Sequence, residues 1–128
     1  MVLLNHLALA VRDQQRSIQF YARYFGFDPS TAHTYPDGVI IVKDAHGFAL
    51  AFGHDEGPAP APGFPHFGFG MATHEGVRDL RARLLADGVA LVEDEDDVDY
   101  VGFKCHDPDR HVVEVAWEPD LVADDRAG

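Results

Sequence analysis

Residues 3–26, LLNHLALAVRDQQRSIQFYARYFG, decide the fold once they are set beside residues 65–88, PHFGFGMATHEGVRDLRARLLADG. In the first stretch an apolar strand from Leu3 to Val11 breaks at Arg12 and Asp13. It then turns into a helix with Ile18, Tyr21, Ala22 and Phe25 on one face, ending at Gly26. In the second, Pro65 to Ala72 passes through Thr73 into Val77, Leu80, Leu84 and Leu85, ending at Gly88. Apolar spacings of three and four are helical, Thr73 is a good N-cap, and glycine stops a helix. The two stretches lie 60 residues apart, from His6 to His66.

Three shorter strands follow each helix, expected at about 28–35, 38–43 and 47–54 in the first half and 89–94, 99–106 and 111–117 in the second. Turn chemistry separates them, and Asp44-Ala45-His46-Gly47 aligns with Asp107-Pro108-Asp109-Arg110 at an offset of 63. Each half therefore reads strand, helix, strand, strand, strand. The expected organisation is one domain over 1–128, with modules at about 3–54 and 65–118, a Pro/Gly/Ala linker at 55–64 and a short acidic, disordered tail at 119–128. A four-stranded sheet with one helix leaves its second face bare. The fold class expected is α+β, with two paired βαβββ modules forming a curved, barrel-like sheet around a cavity.

Composition removes other classes. The chain has 128 residues, 46% of them hydrophobic, which suffices for a core without disulfides, and its single cysteine, Cys105, excludes a disulfide scaffold. A net charge of −12 argues against nucleic-acid or anionic-membrane partners, which need clustered Lys and Arg. No stretch reaches the ~18 apolar residues of a membrane span, and the apolar run to Val11 lacks the basic region of a signal peptide. A cytoplasmic protein is expected.

Strand alternation then sorts the side chains. Leu7, Leu9 and Val11 oppose His6, Ala8 and Ala10; Phe67, Phe69 and Met71 oppose His66, Gly68 and Gly70; Val113, Val115 and Trp117 oppose Val112, Glu114 and Ala116. The bulky face packs beneath the helix. Phe48, Phe52, Phe64, Phe67, Phe69, Phe103 and Trp117 are therefore expected as core rather than as an aromatic drug-binding groove. Each small face carries one group able to bind a metal. A lone strand histidine is ordinarily hydrogen-bonded or solvated and a lone carboxylate solvated. Three such groups on equivalent faces give a second reading. Two imidazoles and a carboxylate form a facial triad for Fe(II), Mn(II) or another divalent ion such as Zn, Ni or Co, with positions left open for substrate. At the 63-residue offset Glu114 corresponds to Ala51, so only the second half carries the acid.

These segments resemble the vicinal oxygen chelate superfamily, which includes glyoxalase I, extradiol dioxygenases, fosfomycin-modifying enzymes, methylmalonyl-CoA epimerase and bleomycin-binding proteins. The resemblance rests on Asn5-His6-Leu7-Ala8-Leu9-Ala10-Val11, Ser17 to Tyr21, Phe25-Gly26-Phe27, His66-Phe67-Gly68-Phe69 and Asp107 to Glu114. It implies the paired βαβββ fold and puts His6, His66 and Glu114 at the family's metal-ligand positions. It also implies a homodimer whose modules pair within or across chains; in the second case His6 comes from one subunit and His66 with Glu114 from the other. Departures narrow the reaction. Glyoxalase I would have Glu at Ala51; fosfomycin enzymes would have Thr at Ala8 and a Lys-containing loop where Glu93 to Asp97 stand. Arg110 replaces a glycine at a turn position that favours positive φ. Three ligands with open positions resemble extradiol dioxygenases most.

On the seventh strand Tyr100, Gly102, Lys104 and His106 alternate against Val101, Phe103 and Cys105. Lys104, as a holder of an anionic substrate group, and Tyr100, as a phenol, are the candidate catalytic residues; the competing reading puts both at an exposed strand edge. Cys105 reads as inert core, and His33, His46, His54, His74, His106 and His111 as solvated turn or strand-end residues. The function expected is a metal-dependent enzyme of dioxygenase, lyase or isomerase type acting on a small molecule through neighbouring oxygens. The alternative is a metal-free protein that sequesters an antibiotic-like small molecule, for which the negative charge speaks.

Overall fold

A computed structural model describes residues 1–61 and 63–119. The acidic tail expected after Pro119 lies outside the described residues. The chain divides into two compact units, Met1–Ala59 and Pro60–Gly128. The first holds β1 (His6–Val11), α1 (Gln14–Phe25), β2 (Asp28–Thr34), β3 (Ile40–Lys43) and β4 (Ala49–His54). The second holds β5 (Phe67–Gly70), α2 (His74–Ala86), β6 (Leu91–Asp96), β7 (Val101–His106) and β8 (Val112–Trp117). Each unit is a βαβββ module with one mixed sheet, ordered β1-β4-β3-β2 and β5-β8-β7-β6. The expected α+β class and element order hold.

Local chemistry sets the helix ends. The Asp13 carboxylate accepts from the Arg16 N–H at 3.1 Å and Gly26 closes α1 in the left-handed region at φ 76°. Thr73 Oγ1 accepts from the Gly76 N–H at 3.0 Å, and Asp87, followed by Gly88 at φ 83°, closes α2. Strand ends are shorter than expected for a definite reason. β1 begins at His6 because β4, its parallel partner, begins at Ala49, and Leu3 and Leu4 before it have no strand beside them. β5 is likewise confined to the four residues that face Val113–Ala116. β6 starts at Leu91 rather than 89 because the Val89 N–H completes the α2 cap on the Leu84 carbonyl.

The two cores lie under the helices, as alternation requires. Val11, Tyr21, Val42, Leu50 and Phe52 are fully buried in the first unit, and Val77, Leu84, Phe103, Cys105, Val113 and Val115 in the second. The aromatic expectation needs a correction. Phe52 and Phe103 are core and Phe48, Phe67, Phe69 and Trp117 half-buried, but Phe64 is 84% exposed, because it precedes β5 between Gly63 and Pro65 where no sheet dictates alternation. Leu85 is exposed too, about 100° round α2 from the buried Leu84. On the opposite faces Ala8, Ala10, Gly68 and Gly70 are exposed.

The backbone also confirms the internal alignment. Asp44 Oδ1 accepts from the His46 and Phe48 N–H groups, and Asp107 Oδ1 from those of Asp109 and His111, all at 2.9 Å. Gly47 sits at φ 85° and Arg110 at φ 70°. The turn is one device used twice. Its second copy holds a left-handed side-chain residue, a conformation that costs roughly 1–2 kcal/mol outside glycine.

Candidate metal centre

Register decides which side chains stand side by side on the open face of the second sheet. Gly68 pairs with Glu114, Glu114 with Lys104, and Lys104 with Glu93, so one rung crosses all four strands as Gly68, Glu114, Lys104, Glu93. Gly68 leaves room for the acid: a Cβ there would lie 3.3 Å from Glu114 Cβ. Lys104 turns away from Glu114 and places Nζ 2.7 Å from Glu93 Oε2. That bond holds the ammonium above the ordinary lysine range. The positive charge of the rung is thus hydrogen-bonded on the neighbouring strand, and Glu114 acts on it only through space.

Glu114 is held by two other groups. His66 Nε2 lies 2.9 Å from Oε1, with both side chains about four-fifths buried (20% and 23% exposed). The Tyr100 hydroxyl donates to Oε2 at 2.9 Å. Burial first, then the bond to Glu114, push the Tyr100 phenol well above the ordinary tyrosine range, so it remains a protonated donor. His66 is fixed from behind, because Nδ1 lies 2.7 Å from the Phe64 carbonyl oxygen. A carbonyl only accepts, so Nδ1 donates to it and Nε2 is the nitrogen that faces Glu114. The Phe64 ring stands edge-on to the imidazole, with centroids 5.2 Å apart.

Two lone-pair atoms this close require a positive centre between them, either a second proton or a metal ion. Ligands bound at about 2.1 Å and at right angles on one ion sit roughly 3 Å apart, so the His66–Glu114 pair has the spacing of neighbouring ligands. A histidine whose other nitrogen donates to a carbonyl is also the arrangement that orients metal-binding imidazoles. His6, in the first unit, repeats it: Nδ1 lies 2.8 Å from Asn5 Oδ1, leaving Nε2 for a ligand. The donor set fits a divalent ion. Among the described residues no third His, Cys, Asp or Glu joins a pair to make a group of three.

The second unit has two clefts, of which the smaller contains the pair. One of 260 Å³ is lined by His66, Gly68, Gly70, Glu114 and Ala116 with Phe67 and Phe69. The other, of 530 Å³, is lined by Glu93, Asp94, Glu95, Tyr100, Phe103 and Lys104, with Gly102 in its floor. The second falls in the size range of small-molecule sites. Tyr100 belongs to the wall of one cleft and touches the acid of the other.

A family model matches residues 3–115, described as the glyoxalase/bleomycin resistance protein/dioxygenase superfamily. The chain belongs to that superfamily. A possible glyoxalase from Bacillus cereus is 24% identical with a TM-score of 0.74, covering 90% of this chain and 98% of that one. The fosfomycin resistance protein FosX from Listeria monocytogenes is 17% identical with a TM-score of 0.79, covering 96% and 97%. A mutant of FosX, complexed with Mn(II) and 1S,2S-dihydroxypropylphosphonic acid, is 17% identical with a TM-score of 0.74, covering 98% and 97%. At these identities the likeness shows the superfamily's fold. No curated protein matches the chain.

The register shows why the superfamily's two modules differ here in chemistry. Ala8 pairs with Ala51 as Gly68 pairs with Glu114, so Ala51 occupies the place of the acid in the first sheet. Cys105 is fully buried, and burial with help from Asp107 pushes its thiol up to about 11, which keeps it an inert core group. His33, His46 and His54 are exposed as expected, but His74, His106 and His111 are half-buried, His74 edge-on to Trp117. Sequence reasoning missed three partners: Asn5 behind His6, the Phe64 carbonyl behind His66, and Gly102 beneath Tyr100. Only the last left a signal, a glycine two residues from a tyrosine on the same strand face.

Among the described residues no helix is long and apolar enough to cross a membrane.

Proposed function

We propose that the protein is a metal-dependent enzyme of the glyoxalase/dioxygenase type, acting on a small molecule that binds a divalent ion through two neighbouring oxygens. The observation that carries this reading is the His66–Glu114 pair: an imidazole nitrogen and a carboxylate oxygen 2.9 Å apart, with the other imidazole nitrogen donating to the Phe64 carbonyl. His66 and Glu114 of one chain, with His6 of a second copy, would hold Fe(II) or Mn(II), or alternatively Zn, Ni or Co. When bound, the ion supplies Lewis-acid stabilisation of an enolate or oxyanion. The exposed small-residue faces of both sheets support a homodimer in which such faces are covered.

The remaining work falls to the chain's own groups. Nδ1 of His66 keeps its proton on Phe64 and so fixes the imidazole plane. Tyr100 keeps its proton at the hydroxyl and stands at the boundary of the two clefts, where a substrate approaching Glu114 meets it. Lys104 lines the larger cleft as a cation already paired with Glu93, so an anionic substrate group reaches Nζ in competition with that carboxylate. A buried thiol accords with a cytoplasmic setting.

The test is uptake of Mn(II) or Fe(II) by chelator-treated protein and by Glu114→Ala. The reading expects binding in the wild type and none in the folded variant. Full occupancy in Glu114→Ala contradicts it, and tight metal-independent binding of a drug-like cation would favour sequestration instead.

A further inference from the structure

The larger cleft contains a feature that the metal reading does not require. Gly102 has no positive φ, so its lack of a side chain is a matter of space rather than backbone conformation. A Cβ at Gly102 would fall well inside contact distance of the Tyr100 hydroxyl, Cζ and Cε1 atoms, with Cζ at 2.7 Å. The Tyr100 ring therefore lies flat on the backbone of β7 at Gly102, which is buried as a result. From that seat its hydroxyl reaches across to β8 and donates to Glu114 Oε2 at 2.9 Å. The rung behind the acid makes this possible, since Gly102 pairs with Ala116 and Ala116 with Gly70, a floor with nothing larger than a methyl group.

The two oxygens of Glu114 are thereby given different tasks. Oε1 faces His66 Nε2 at 2.9 Å, while Oε2 is occupied by a protonated phenol. A free carboxylate can bind an ion through one oxygen or two; one whose second oxygen accepts a strong hydrogen bond presents one. Lys104, the other group able to restrain the acid from the side, is turned to Glu93.

We propose that Tyr100, seated on Gly102, is a positioning residue that holds Glu114 to one-oxygen ligation and so keeps a coordination position open for the second oxygen of a chelating substrate. This rests on the metal reading above and specifies how the site admits a two-oxygen ligand. It predicts that removing the hydroxyl, or the seat beneath it, lets Glu114 swing to bind through both oxygens and displace a water.

The experiment is water-proton relaxivity of the Mn(II)-loaded protein, compared with Tyr100→Phe and Gly102→Ala at equal bound Mn(II). On a six-coordinate ion with three protein ligands, loss of one of three exchangeable waters lowers relaxivity per bound ion by roughly a third. That drop in both variants, with thermal melting of Tyr100→Phe near that of the wild type, is the expected result. If Gly102→Ala does not fold, Tyr100→Phe decides alone, since it removes a single oxygen. Bound Mn(II) with unchanged relaxivity in Tyr100→Phe overturns this inference and leaves the metal reading standing. Failure of the wild type to bind Mn(II) at all overturns both.

Discussion

The same rung of the two sheets reads Ala8, Ala51, Ile41, His33 in the first module and Gly68, Glu114, Lys104, Glu93 in the second. Strand order, the register of the three inner strands and the turn before the last strand are shared, so the backbone around Ala51 and Glu114 does not explain the difference. The side chains do. One copy lines its open face with methyl groups and an isoleucine, and the other spends the same positions on an acid and its neighbours. The two modules are equivalent platforms, and only the second carries acids on this rung.

The largest effect that can break this comparison is complementation. His6→Ala and Glu114→Ala should each abolish metal binding alone. If His6 serves the site of the partner chain, an equimolar, re-equilibrated mixture of the two variants should recover about one quarter of wild-type sites, because half the dimers are mixed and each has one intact site. No recovery would place all three ligands in one chain.

A second test uses the cores. Val42 and Cys105 are both fully buried and stand opposite Leu50 and Val113 in their respective sheets. Only Cys105 ionises. Its folded value is raised from near 9 to about 11, so its contribution is fully present below pH 9 and is lost as pH rises towards 11. The loss amounts to about 2–3 kcal/mol, which Cys105→Val, copying the first module, should remove. Urea unfolding at pH 8 and pH 11 measures it, and parallel pH slopes for the two proteins would contradict the assignment.

Ala51→Glu tests whether the first rung tolerates the acid of the second. Ala51 is 8% exposed between Ala8 and Ile41, with no lysine or arginine in its rung. The substitution should cost roughly 1–3 kcal/mol by urea unfolding, while Glu114→Ala, at a site about one-quarter exposed, should cost less. The reverse order would mean that the first platform is already electropositive. The smallest effect is at the repeated turn: Arg110→Gly should stabilise by about 0.5–1 kcal/mol, because it relieves a left-handed side-chain residue where Gly47 stands in the first copy. Equal melting of Arg110→Gly and wild type would mean that the arginine side chain compensates for its own strain.

Much of this arrangement is legible in the sequence because it follows from periodicity. The offset of 63 makes Ala51 the counterpart of Glu114, as the pairing of Ala8 with Ala51 and of Gly68 with Glu114 bears out, and Gly47 and Arg110 occupy matching left-handed turns. The candidate site is legible only in outline. His66 and Glu114 meet as alternation suggested, but Lys104 is drawn to Glu93, a partner whose register depends on an irregularity between Leu91 and Glu93 that no spacing announces. The His66 anchor is a backbone carbonyl in a segment without regular structure, and the Tyr100 seat depends on a glycine whose reason is steric. Long-range pairing and excluded volume carry no periodic signature.

Metal content of chelator-free protein, read by elemental analysis before and after titration with Mn(II), tests the account most directly when His66→Ala is compared with His33→Ala from the first rung. The account predicts about one equivalent per chain in the wild type and in His33→Ala, and none in folded His66→Ala. A folded wild type that takes up neither Mn(II) nor added Fe(II), Ni(II) or Zn(II) would contradict it, and the acid of the second rung would then belong to a ligand-sequestering pocket rather than a metal centre.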